Sequence, residues 1–181
     1  MGKIVSTFFI SLDGVIERPD QWHLSYFNDE LGAAIGGKLE TASGLLMGRK
    51  QYEEQSAYWP TAEDDPELAE YFNSAPKYVL STTLEKADWN NTTVVSGDVA
   101  AKLRELKEQS EGDILMSGSG TTARWLLANG LLDELVLFVH PIAVGQGQRL
   151  FEDTPTYPLT LVTSETFQTG VLSLTYVPAE S

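Results

Sequence analysis

The 181 residues are 42% hydrophobic, enough for one buried core and too short for two full-sized domains, so residues 1–181 read as a single domain. Twelve Lys and Arg against 26 Asp and Glu leave a formal charge of −14, which disfavours a nucleic-acid backbone or an anionic membrane surface as partner. With no cysteine, disulfide scaffolds, thiolate nucleophiles and thiolate metal sites are excluded, and the cytoplasm is the default compartment.

Ile4 to Ile10 is an apolar run that passes directly into Asp13-Gly14 without a small-residue cleavage pattern, so it reads as a buried strand rather than a leader. A helix is expected over Phe27 to Leu39, with Phe27, Leu31, Ala34 and Ile35 at near-helical spacing and Gly36-Gly37 weakening its last turn. Gly44 to Gly48 is a short buried strand leading into Arg49. The acidic stretch Thr61 to Glu67, holding Pro66, reads as a surface loop and the best candidate for mobility. Strands follow at Tyr78 to Ser81 and, after the Asn90-Asn91 turn, at Thr92 to Ser96, both expected in the middle of the sheet. Asp98 caps a helix with Val99, Leu103 and Leu106 inward and Lys102, Arg104, Glu105, Lys107 and Glu108 on its solvated face. Asp113 to Ser117 is a strand, Gly118-Ser119-Gly120 a turn, and Thr121 to Asn129 a helix ended by Gly130. Glu134 to Val139 is another strand and Pro141 to Gly147 an irregular return. Leu159 to Phe167 and Val171 to Val177 close the chain as an antiparallel pair around Thr169-Gly170. Even Leu131 to Val144 is interrupted by Asp133, Glu134, His140 and Pro141, short of the roughly 18 to 20 apolar residues that span a bilayer. Strands alternating with helices, without repeats, predict a layered α/β fold.

Small residues between a buried strand and a helix leave amides free at the positive helix end. Gly118, Ser119, Gly120 and Thr121 are therefore candidates for a phosphate or dinucleotide contact, with a turn needed only for packing as the alternative. Gly48-Arg49-Lys50 and Leu80-Ser81-Thr82-Thr83 also follow short strands, where α/β sheets hold ligands. The Arg49 guanidinium suits a phosphate, including an adenosine 2′-phosphate, or else pairs with a nearby acid; Ser81 and Thr82 either meet the ligand or cap a turn. Asp13, beside Gly14, either holds an Asx turn or accepts hydrogen bonds from a substrate amine. Trp22, Phe27 and Tyr52, with Tyr26, Tyr58 and Trp59, line a flat-ring pocket or belong to the core. His23 and His140 are too few and too far apart in sequence to imply a metal, and His140 reads as structural. Ser119 lies in no GxSxG motif, and a serine hydrolase would need a Ser–His contact.

In order and spacing, Ser11-Leu12-Asp13-Gly14, Leu46 to Glu53, Lys77 to Ser81, Ile114 to Gly120, and Asp133-Glu134 through Pro141, Gly145, Gly147 and Leu150-Phe151 together span almost the whole chain. This pattern resembles the dihydrofolate reductase family, in the branch of the C-terminal reductase domain of bacterial riboflavin biosynthesis. The resemblance implies a three-layer fold with a mixed, mainly parallel sheet, flanking helices and a C-terminal antiparallel hairpin. It implies NADPH as cofactor, with Gly48 and Arg49 near its phosphates, Ser81 and Thr82 on the adenosine side, and Gly118 to Thr121 at the pyrophosphate. The nicotinamide would face Asp13, which would orient substrate or water. The family's usual glycine run carries Ser119 here, and Phe27 falls near the place where folate enzymes keep a carboxylate. Trp22 to Asp29 has no Lys or Arg for a ribosyl phosphate, and no zinc-binding deaminase portion precedes the domain, so a different small heterocyclic or carbonyl substrate is implied. The leading expectation is an NADPH-dependent reductase; its rival is a non-catalytic dinucleotide-binding or ligand-sensing module on the same fold. The branch also implies a homodimer, with Leu135 to Val139 and the final hairpin as candidate interface elements.

Overall fold

The computed structural model describes residues 1–180. Strand β1 (Ile4–Ser11) is buried on both faces, as a central parallel strand should be, with Ser6 and Ser11 buried among its apolar residues. After two short 3-10 turns, α1 (Asp29–Thr41) starts where the Asn28 side chain accepts from the Leu31 amide at 3.0 Å, and it leads into β2 (Ala42–Gly48). Next come α2 (Arg49–Tyr58), α3 (Pro66–Ser74), β3 (Lys77–Leu80) and β4 (Thr92–Val95). The second half contains α4 (Val99–Gln109), β5 (Asp113–Ser117), α5 (Gly120–Ala128), β6 (Glu134–His140), β7 (Leu159–Thr166) and β8 (Leu172–Pro178).

The eight strands make one sheet in the order β4-β3-β2-β5-β1-β6-β8-β7. The first six in chain order run parallel, and β8 and β7 add an antiparallel end. The period of two along each strand divides the core. Ile4, Phe8, Leu46, Ile114, Met116 and Leu135 face α4 and α5 through Leu103, Ala123 and Leu126. Val5, Leu45, Met47, Val79, Leu115 and Val136 face the other layer, with Leu31 of α1 and Tyr52 of α2. The result is a three-layer α/β fold.

Three expectations change. β4 is an edge strand and β3 its neighbour, rather than central, because β5 and β1 enter the sheet between β2 and β6. The predicted loop from Thr61 to Glu67 is shorter: Trp59–Thr61 forms a 3-10 turn, and α3 starts at Pro66 with Asp65 accepting from the Leu68 amide at 3.0 Å. α2 goes unread in the sequence because its ten residues, RKQYEEQSAY, bury only Tyr52 and carry no apolar stripe.

At the amino-terminal end of the sheet, ion pairs join distant segments. Asp133 accepts from the Ile4 amide at 2.8 Å and pairs with Lys107 at 2.7 Å; Glu134 meets Lys3 at 2.6 Å. The Lys107 end is nearly enclosed, so its pairing matters more than that of an exposed bridge. Asp133→Ala is expected to cost about 2 kcal/mol in urea unfolding, since it leaves both an amide and an ammonium without their acceptor. A loss no greater than that of Asp88→Ala, which breaks an exposed pair with Lys86, would refute this account.

Candidate functional site

In a parallel sheet the loops that matter lie at the carboxyl ends of the strands. A crevice opens there wherever neighbouring strands send their helices to opposite faces. β5 is such a strand: α5 leaves it for one layer, whereas α1 and α2, which follow its neighbours β1 and β2, lie in the other. Gly118, Ser119 and Gly120 occupy that switch point. Gly118 has φ +75°, a backbone conformation that favours glycine, and nothing lies within 4 Å of where a Cβ would stand, so the space beside it is open. Gly120 is closed: a Cβ would meet Ile16 Cδ1 at 2.7 Å and Arg124 Nη1 at 3.2 Å. The Ser119 hydroxyl accepts from the Thr122 amide at 3.3 Å and caps α5, leaving the Gly120 and Thr121 amides without an intrahelical acceptor. The Gly118–Ser119 peptide bond is cis.

The β2 end reaches the same place. A Cβ on Gly48 would stand 3.7 Å from Thr122 Oγ1, and Gln51 Nε2 donates to the Ser117 carbonyl at 2.6 Å, tying the first turn of α2 to the end of β5. Gln51 carries no local signal in the sequence, because its partner lies 66 positions away and no periodicity marks it. Arg49 is exposed at the start of α2 and pairs with Glu53 at 2.9 Å. The Ser81 hydroxyl accepts from the amides of Thr83 at 3.2 Å and Leu84 at 3.0 Å, a local turn cap, while Thr82 is exposed beside it. Open backbone at Gly118, free helix amides and a guanidinium on adjacent strand ends could hold a dinucleotide's phosphates.

Asp13 is the fastening point of the β1 end. Its carboxylate accepts from Ser11 Oγ at 2.6 Å, from the Val144 amide at 3.0 Å and from the Gly145 amide at 2.7 Å, with Arg149 at 3.9 Å. These donors, the Ser11 hydroxyl foremost, hold the carboxyl far below the usual carboxylate range, so Asp13 is an anion that fixes a loop and no proton donor near neutral pH. Glu17 reinforces the same ribbon by accepting from the Gln148 amide at 3.0 Å, and Val15 bridges to Arg149.

Beyond this ribbon lies an aromatic cluster. Trp22 is buried, its Nε1 donating to the Glu17 carbonyl at 3.2 Å, and its ring meets His140 edge-on at 5.3 Å. Phe9 stacks on His23 at 4.5 Å, and Phe27, 51% exposed, reaches His23 edge-on at 6.3 Å. The two histidines lie 6.0 Å apart between ring centroids, and burial lowers the pKa of each, which favours neutral imidazoles. His140 Nδ1 contacts the Phe138 carbonyl at 2.8 Å and Ser119 caps α5, so the Ser–His contact a hydrolase would need is not among the hydrogen bonds of the described residues. Tyr52 does not join Trp22 and Phe27. It packs on Trp89, accepts from the Trp89 amide at 3.1 Å, and borders a cavity of about 530 Å³ shared with Ser56, Asn73 and Lys86. Among the described residues, no three His, Asp or Glu side chains gather as a metal site, and no helix is long and apolar enough to cross a membrane.

A family model described as the RibD C-terminal domain matches residues 2–173. The uncharacterized protein YyaP of Bacillus subtilis is 28% identical over 181 residues, covering 96% of this chain and 94% of YyaP. Among solved structures, a Shewanella sp. PV-4 protein named for riboflavin biosynthesis superposes with a TM-score of 0.79 at 23% identity, covering 99% of this chain and 100% of that one. The dihydrofolate reductase of Enterococcus faecalis, solved with NADP(H), superposes with a TM-score of 0.64 at 14% identity, covering 99% of this chain and 98% of that one.

Proposed function

The chain belongs to the RibD C-terminal domain family, and from that premise we propose that it is an NADPH-dependent oxidoreductase delivering hydride to a small heterocyclic or carbonyl compound. The observation that carries this reading is the convergence of the open backbone at Gly118, the free amides of α5 and the Gly48-Arg49 turn at the strand end where the helices change face. In the proposal, Gly118 to Thr121 hold the pyrophosphate, Gly48 and Arg49 flank it, and Ser81 and Thr82 lie on the adenosine side. The bound nicotinamide supplies the hydride. Asp13 positions the Val144–Gly145 loop over the β1 end, and Trp22 and Phe27 wall an uncharged ring site beside it. The exposed apolar faces of Leu12, Leu24 and Phe27 suit a flat, weakly charged substrate. A homodimer through the C-terminal hairpin belongs to the same proposal.

Fluorescence titration with NADPH tests the reading. The wild-type protein is expected to bind at micromolar strength. Gly118→Asp, which puts a carboxylate beside the free amides of α5, should weaken binding about a hundredfold, and Arg49→Ala about fivefold. Failure of both NADPH and NADH to bind would withdraw the reductase reading. Oxidation of bound NADPH by a panel of carbonyls and heterocycles then separates a reductase from a ligand-sensing module, which would bind without turnover.

A further inference from the structure

We propose that His23 donates the proton of the reductive step, completing the reduced product once hydride has reached carbon, an inference that rests on the reductase reading above. Asp13 cannot fill that role, because it is an anion whose oxygens are taken by Ser11, Val144 and Gly145. His23 lies between Trp22 and Phe27, the two walls of the proposed ring site, and its ring is fixed in place. It stacks on Phe9, two residues before Ser11 on β1, with 4.5 Å between ring centroids, while Phe27 meets it edge-on at 6.3 Å. The ring is half-buried, and its Nδ1 is enclosed and without a partner, so Nε2 is the nitrogen a bound molecule can reach. In the proposed step a carbonyl carbon takes the hydride that oxidises the bound nicotinamide, and the carbonyl π pair moves to oxygen. The N–H bond of the His23 imidazolium breaks as the new O–H bond forms, leaving a neutral imidazole that takes its next proton from solvent.

The neighbouring histidine settles which ring takes the proton. His140 Nδ1 lies 2.8 Å from the Phe138 carbonyl, an oxygen that only accepts, so Nδ1 carries the hydrogen and Nε2 of the neutral ring is a bare acceptor. That Nε2 is enclosed without a partner, and the residue is 0% exposed among the rings of Phe9, Trp22, His23 and Tyr26, all edge-on to it at 5.3 to 6.0 Å. A cation there would have no acceptor and no water, so the single proton goes to His23. The groups around His23 come from each packed element. β1 offers only Phe9, β6 the neutral His140, and the second 3-10 turn Tyr26; at the head of α1, Glu30 is committed to Asn28 Nδ2 and the Gln168 amide. Asp20, on the first 3-10 turn, is the carboxylate that favours the imidazolium. Burial outweighs it and holds His23 below the ordinary 6.5, close enough to neutrality to give up a proton readily.

The test pairs imidazole NMR of the free protein with NADPH oxidation by isatin, a flat heterocyclic ketone, between about pH 5 and 8. Wild-type kcat/KM is expected to fall about tenfold per pH unit above a midpoint that coincides with the NMR titration of His23, while His140 stays the neutral Nδ1–H tautomer. His23→Gln should lower kcat/KM about a hundredfold at pH 6 and flatten the profile, with the Kd for NADPH changed less than about twofold. Asp20→Asn alters an exposed group and should leave the fold intact while moving both midpoints toward acid, which a merely structural His23 would not do. A flat wild-type profile, an unchanged profile in His23→Gln, or a His140 that titrates in place of His23 overturns the proposal and leaves the reductase reading intact. Wild-type protein that binds neither cofactor, or that binds NADPH and oxidises it with neither isatin nor any other compound of the panel, overturns both.

Discussion

Lys77→Ala is expected to lower the free energy of unfolding by about 3 kcal/mol. Lys77 is wholly buried at the start of β3, and no carboxylate is among its contacts. Its ammonium donates to the Ala75 carbonyl at 2.7 Å and reaches the Asn73 carbonyl at 3.5 Å, at the end of α3, while lying 4.3 Å from the centre of the Trp89 ring. Trp89 in turn donates from Nε1 to Asn73 Oδ1 at 2.8 Å and from its amide to the Tyr52 hydroxyl at 3.1 Å. Alanine would empty the space under the indole and strand the Ala75 carbonyl, whereas Lys77→Met, which keeps the stem, should cost about 1 kcal/mol. Acidity adds a signature. Burial pushes the ammonium down to about 8, against 10.5 for an ordinary lysine. Between those values the unfolded chain holds a proton that the native state has shed, so stability rises with pH, by up to about 3 kcal/mol, and levels off above the window. Urea unfolding at neutral pH and near the top of that window should show this rise in wild type and its absence in Lys77→Met; parallel profiles would refute the assignment.

Asp13→Ala should separate binding from turnover. In the reductase reading, kcat/KM falls about a hundredfold while the Kd for NADPH stays put, because Asp13 fastens the Val144–Gly145 loop beside the substrate and touches no phosphate loop. Amide hydrogen exchange at Val144 and Gly145 reports the same unfastening without a substrate, and should quicken in the variant. The carboxyl's depressed pKa fixes the sign of its pH dependence: its contribution is complete above the ordinary carboxylate value of 3.8 and is lost only as the pH drops through its much lower native value. Asp13→Asn, which keeps one acceptor oxygen, should fall between alanine and wild type. A parallel loss of NADPH affinity would place Asp13 in the cofactor pocket instead.

How much of this was legible depended on the range of the interactions. Strands such as Ile4–Ser11 and Asp113–Ser117 are short and mostly apolar, and α4 and α5 show a buried stripe and a side-chain cap, so local pattern was enough. α2 lacks that pattern, and the sheet order that puts β4 at an edge is a property of pairing rather than of any strand. Within the site, the glycines after β5 announced their turn. Ser81 had two roles open to it, and the turn cap is the one its hydroxyl performs here. Asp13 was visible as a residue, and Ser11 lies two positions from it, but the Val144 and Gly145 amides it fastens lie 131 and 132 positions away and only the folded ribbon names them.

The place of β1 between β5 and β6 also governs how the molecule is assembled. Its two pairing partners begin more than a hundred residues further along, at Asp113 and Glu134, so neither edge of this apolar strand has a mate until most of the chain exists. The middle of the sheet is therefore completed late, by loop closures of high entropic cost, while β2, β3 and β4 pair among near neighbours. A nascent chain carries Ile4 to Ile10 as an unmated, aggregation-prone edge until β5 and β6 have been made. Folding is thus a matter of waiting for β6, and the segment most exposed to misassembly is the one that ends as the best-buried strand.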